Sequence, residues 1–182
     1  MNTNITHVQL SSNIHTLTFN VNKSLRDKLL MTKIDMNNIM FVDEQVKIIN
    51  DNINNIIMDY NYEIINDTTI NFALLFKPVL KSLNVRQKFT KCSIVVDKIA
   101  NNIVVRFDKN VAIKLGISSE VEFLPITHVK ITFEDDSANP EQSTITLLFE
   151  SEYDLTQDKS FNILLTMLKE TIEKGISQSL LS

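Results

Sequence analysis

Apolar residues recur along this chain in two registers, every second position and every third or fourth, and the change from one to the other predicts its elements. In residues 14–21, Leu17, Phe19 and Val21 alternate with Thr16, Thr18 and Asn20, and with residues 5–10 across Ser11-Ser12-Asn13 they predict a hairpin. A second hairpin is expected from residues 62–65 and 69–76 around Asn66-Asp67-Thr68. A third comes from the β-branched runs 92–99 and 103–108, which flank Ala100-Asn101-Asn102. A fourth joins residues 127–134 to 144–150 across a polar loop, with Val129, Ile131 and Phe133 on one face and His128, Lys130 and Thr132 on the other. Residues 120–124 read as an edge strand stopped by Pro125.

The helical spacing is clearest in two places. After Asp43 as N-cap, Val46, Ile49, Ile53, Ile56, Ile57 and Tyr60 line one face, opposite Lys47, Asn50, Asn54 and Asn55. Near the C-terminus, Asp158 caps a run whose stripe is Phe161, Leu164, Leu165, Leu168 and Ile172, expected to end at Gly175. Shorter helices are expected over 24–31 and after Pro78 as far as Leu83, and a helical turn over 110–115 closing at Gly116. The order of elements lacks regular strand–helix alternation and shows no fixed repeat. It predicts an α+β fold, mainly antiparallel sheet built from hairpins and packed by two amphipathic helices plus short helices. One domain over 1–182 is expected, with a mobile tail at 176–182.

Composition then removes function classes. No apolar run reaches the roughly 18 or more residues of a membrane span, and the polar start lacks the layout of a secretory signal, so a cytoplasmic or particle-associated protein is expected, not a secreted one. Cys92 is alone, which rules out an internal disulfide and, in the run Cys-Ser-Ile-Val-Val, reads as a small core residue. The two glycines, Gly116 and Gly175, cannot supply a phosphate-cradling loop. No catalytic, cofactor or metal motif is present, and the chain is expected not to be an enzyme.

Charge is the feature left over. Between Lys77 and Lys114 nine basic residues face two acids, and from Leu115 to Asp158 ten acids face Lys130 alone. Such separation bears on partners, not on the fold. The candidate interaction surface is therefore Lys77, Lys81, Arg86, Lys88 and Lys91 on one side and Glu134, Asp135 and Asp136 on the other. The acidic trio offers oxygen ligands but no calcium-loop order, so a solvated hairpin tip is its first reading and a divalent-ion site its second. Glu150, Glu152, Asp154 and Asp158 carry no spacing that defines a catalytic cleft, and His7, His15 and His128 read as scattered surface residues.

The residues Leu74-Leu75-Phe76-Lys77-Pro78-Val79-Leu80-Lys81-Ser82-Leu83, followed by Cys92-Ser93-Ile94-Val95-Val96 and Ile103-Val104-Val105-Arg106-Phe107, resemble a segment of the checkpoint sliding-clamp subunits. The helical C-terminus departs from a clamp's two-half plan, and no residue roles follow from the resemblance. The expectation is a non-enzymatic structural or assembly subunit in a homo- or hetero-oligomer, docked by opposite charges, with a virus or phage particle as one concrete version. The alternative is a nucleic-acid-associated protein using the basic segment 77–114.

Overall fold

Every hairpin that the two-residue period predicts is present, and the strands join one sheet. The computed structural model describes residues 5–24, 57–78, 86–97, 99–117 and 120–179. Its strands are β1 (Thr6–Ser11), β2 (Ile14–Asn22), β3 (Ile57–Asn66), β4 (Thr69–Phe76), β5 (Lys88–Asp97), β6 (Asn102–Phe107), β7 (Glu122–Phe123), β8 (His128–Asp135) and β9 (Gln142–Glu150). They lie in the order β1-β2-β9-β8-β6-β5-β4-β3, antiparallel throughout, with the short β7 parallel to the start of β5. A 3-10 turn, Leu155–Gln157, leads into one long helix, α1 (Lys159–Ser179).

Because side chains alternate across a strand, the register sorts them into two faces. One row runs across seven strands as His15, Phe149, Val129, Val105, Ile94, Ile70 and Ile64. This inner face is apolar and packs on α1. The opposite row reads Thr6, Thr18, Thr146, Thr132, Asn102 and Asp97, a polar face in which the hydroxyls of Thr18 and Thr146 lie 3.3 Å apart. One face on the core and one in water is the usual arrangement of an antiparallel sheet.

The helix begins where Asp158 Oδ1 accepts from Phe161 N–H at 2.8 Å, the cap that the sequence predicts. Its place against the sheet is set one turn earlier. Asn13, in the β1–β2 turn, accepts from Ser151 N–H and donates its Nδ2 to Ser151 O, while Leu155 N–H donates to Ser12 O. Phe161 and Leu165 of the stripe are buried, and Leu164 and Leu168 pack beside them. Ile172 reaches a second group around Phe19 and Phe133.

Several expectations are corrected. Among the described residues there is one α-helix, not two amphipathic ones. Most of the helix expected after Asp43 lies outside the described residues, as do residues 25–31 of the short helix begun at Ser24 and residues 79–83 of the one after Pro78. The last part of the first, from Ile57 on, is strand. A bulge explains the misleading spacing. The pairing shifts between Ile57 and Asp59, so Ile57 opposes Phe76 and Tyr60 opposes Leu74, and two inner-face residues stand three apart as they would on a helix. The helix also runs through Gly175 to Ser179, since glycine costs a helix interior only about 1 kcal/mol and longer stripes override it. Residues 110–117 form no helical turn, and the left-handed position is Asn101, with φ 48°, in the β5–β6 hairpin.

Candidate functional site

The inner face is not closed evenly. Around Leu17, Phe149 and Phe161, eight buried residues form a continuous cluster into which α1 inserts Phe161 and Leu165. Phe161 is 0% exposed and sits edge-on to both His15 and Phe149, with ring centroids 5.0 and 6.0 Å away. Across β3 to β6 the balance reverses. The buried cluster there has four members, Ile57, Ile70, Phe72 and Cys92, and nine half-buried apolar side chains surround them.

Those nine define the candidate site. β3 contributes Tyr60, Tyr62 and Ile64, whose rings flank Phe72 at 6.3 Å each for the two tyrosines. Leu74 and Phe76 stand on β4, Ile94 on β5, and Val105 and Phe107 on β6. From α1, Met167 reaches them and is the one hydrophobic side chain to do so among the described residues. At about 100° of helical turn per residue, Met167 sits roughly 120° from Phe161, on the flank of the stripe, so the helix meets this half of the sheet with its side and not its apolar face. The result is a contiguous patch of half-buried apolar side chains on the inner face, beside the flank of α1.

Polar groups on this face include the hydroxyls of Tyr60 and Tyr62 on β3 and a side chain of β5. Thr90 lies on the same face as Cys92 and Ile94, opposite Leu74, and is 2% exposed. Its Oγ1 has no hydrogen-bond partner. A buried hydroxyl left unpaired costs about 1–3 kcal/mol, so it marks a position held for something other than packing. Burial pushes the Cys92 thiol up to about 12, which leaves it an inert core residue as expected. At the start of β5, Glu122 of β7 accepts from Lys88 Nζ at 2.8 Å and from Arg86 Nη1 at 2.9 Å. The hydrogen bond from Lys88, reinforced by both cationic charges, holds the Glu122 carboxyl below the usual carboxylate range.

That ion pair also answers the question of segregated charge. Arg86 and Lys88 belong to the basic segment and Glu122 to the acidic one, and β7 lays them side by side. On the outer face Arg106, His128 and Glu150 are successive neighbours across β6, β8 and β9, with His128 Nδ1 3.5 Å from Glu150. Opposite charges far apart in sequence thus interleave in space. Lys91 donates to Val111 O, Lys77 is half-buried, and Lys81 lies outside the described residues. Glu134 and Asp135 are exposed at the end of β8, and Asp136 accepts from Ala138 N–H in the loop beyond. Since β5 and β8 both run antiparallel to β6, the start of β5 and the end of β8 fall at opposite ends of the sheet. The basic and acidic candidates are not brought together.

Two further features were hidden. His15 is not a surface residue but 3% exposed on the inner face, its Nδ1 3.1 Å from Nε2 of His7 and the two rings stacked. The outer face of β3 to β5 carries an open groove of about 690 Å³ lined by Asp59, Asn61, Lys91 and residues 113–116. Its polar groups are engaged in holding the loop down, through Asn61 Nδ2 to Lys114 O and Lys91 Nζ to Val111 O, and this cover explains why Ala73 and Leu75 are buried on an outer face. Among the described residues no group of three or more His, Cys, Asp or Glu could hold a metal ion, and no helix is long and apolar enough to cross a membrane.

No family model matches the chain. No curated protein matches it. In fold it is similar to human STARD10, at 8% identity over 97% of this chain and 74% of that one, with a TM-score of 0.56. It is similar also to the human StarD13 (DLC2) lipid transfer and protein localization domain, at 8% identity over 97% of this chain and 85% of that one, with a TM-score of 0.55. These likenesses overturn the expected structural or assembly subunit, its virus or phage particle version and the nucleic-acid alternative. Where β7 joins β5, acidic Glu122 also lies inside the basic group, paired with Arg86 and Lys88. Of the residues that carry the sliding-clamp resemblance, Leu74–Phe76 end β4 and the two later runs lie in β5 and β6 of the single sheet, while residues 79–83 lie outside the described residues. The architecture is START-like: a large antiparallel nine-stranded sheet with one C-terminal helix.

Proposed function

We propose that this chain binds a lipid or comparable apolar molecule in a trough over this patch, between β3 to β6 and the flank of α1, and carries it as a non-enzymatic binding protein. The observation that carries this reading is the uneven closure of the inner face. A folded domain gains most by closing its apolar face, which the Phe161 side does more fully with eight buried residues, so a contiguous run of half-buried Tyr, Phe, Leu, Ile and Val is the surface a ligand would complete. The lipid transfer named for the StarD13 domain, on the same fold, supports the ligand class. A ligand in place of a protein partner also accords with charges that neutralise one another locally.

The test is to mix the purified protein with vesicles of a total lipid extract, separate the two, and weigh the protein by native mass spectrometry. A discrete added mass of one lipid per chain, absent after denaturation, is expected. Protein that returns at its bare mass under conditions where it stays folded overturns the reading.

A further inference from the structure

Besides the hydroxyls of Tyr60 and Tyr62 on β3, the face that lines the trough carries a buried hydroxyl on β5, and that one is informative about the ligand. Thr90 stands on β5 two positions before Cys92 and four before Ile94, and pairs with Leu74. Its side chain therefore shares the face of the residues that line the trough. It is 2% exposed, and its Oγ1 is one of three buried side-chain polar atoms without a partner among the described residues. The other two, His15 Nε2 and His128 Nε2, lie away from the trough, on β2 and on the outer face of β8.

We propose that Thr90 Oγ1 hydrogen-bonds a neutral oxygen of the bound ligand, so that the trough takes a long apolar molecule bearing a hydroxyl or carbonyl in preference to a bare hydrocarbon. The proposal rests on the reading of the trough as a ligand site. A hydroxyl both donates and accepts, which suits either an alcohol or a carbonyl. A carboxylate is a poorer match, because the cations on and just before the start of β5 are already engaged: Lys88 Nζ and Arg86 Nη1 each bind one oxygen of Glu122, and Lys91 Nζ donates to Val111 O. A valine would fill the same volume at this position without an orphaned hydroxyl, so packing alone does not account for threonine.

Two probes of equal length separate the outcomes: 1-hexadecanol and hexadecane, each radiolabelled and delivered from cyclodextrin to the full chain. Wild type is expected to hold the alcohol about tenfold more tightly than the alkane, the worth of one buried hydrogen bond. Thr90→Val is expected to abolish that preference while leaving the alkane bound, and Thr90→Ser, which keeps a hydroxyl, to restore it. Thermal melting of Thr90→Val at or above the wild-type temperature shows that the change is not loss of fold. Equal binding of the two probes by wild type, or a preference for the alcohol that survives in Thr90→Val, overturns the role of Thr90 and leaves the trough standing. Failure of wild type to bind either probe overturns both.

Discussion

The two halves of the inner face are made of the same kinds of residue and meet the same helix, yet one is a core and the other is not. On β2, β9 and β8 the apolar row is closed by the stripe of α1, with Leu17, Leu155 and Phe161 wholly buried. On β6, β5, β4 and β3 the row continues without a break in hydrophobicity, but among the described residues Met167 is the one hydrophobic side chain that the helix adds. Hydrophobic pattern alone therefore does not decide what an apolar face is for; what covers it does. The sharpest way to break this comparison is to truncate one residue on each side. Phe161→Ala is expected to cost about 3–5 kcal/mol, and Leu74→Ala, from a side chain that never loses all its water, about 1 kcal/mol. Urea denaturation measures both, and equal losses would mean that the two halves are one continuous core.

Adding bulk probes the same contrast from the other direction. A filled core resists an enlarged side chain by about 1–3 kcal/mol, whereas a trough has space to receive it. Leu74→Trp is accordingly expected to leave the unfolding free energy within about 1 kcal/mol of wild type while weakening lipid binding at least about tenfold. Lipid uptake by native mass spectrometry and a urea melt on the same preparation check it. A variant that is strongly destabilised shows a packed site; one that is stable and binds normally shows that the ligand does not pass Leu74.

The hairpins and α1 were legible because their periods are clean: Leu17, Phe19 and Val21 on β2 and the Phe161 to Ile172 stripe fall where alternation and helical spacing place them. Ile57 and Tyr60 misled because a bulge reproduced helical spacing inside a strand. Thr90 stayed hidden for a related reason. β5 begins at Lys88, ahead of the obvious Cys92-Ser-Ile-Val-Val run, and in Lys88-Phe89-Thr90-Lys91 the aromatic faces outward while the polar residue faces in. The trough itself leaves no mark in the sequence. Its residues are ordinary strand formers, and only their incomplete cover, which depends on the azimuth of a helix some seventy residues further on, distinguishes them. The charge blocks were plain in the sequence but misleading, since the parallel pairing of β7 with β5 brings Glu122 beside Arg86 and Lys88 from far along the chain.

The smallest expected effect belongs to the edge of the closed half. His7, on β1, stacks on the buried His15, and its pKa is held below the usual histidine value first by partial burial, then by the positive charge of Lys169 on α1 and by His15. The neighbours that face the pair are Phe161 and Phe149, which offer no counter-charge; Asp154, before α1, is the one carboxylate whose interaction with His15 registers. Below pH 6.5 the unfolded chain takes up a proton at His7 more readily than the folded one does. Stability is thus fully present above that value and falls as the pH drops through the lowered folded value. Because the ring is largely exposed the fall is shallow, and it concerns the edge where β1 and the start of α1 meet, not the trough. Thermal melts between pH 8 and pH 5 are expected to show a decline in wild type that is reduced in His7→Gln, while lipid uptake by both proteins stays the same across that range. A decline of lipid uptake in step with the melts would tie the histidine edge to the trough and so dissolve the division between the two halves.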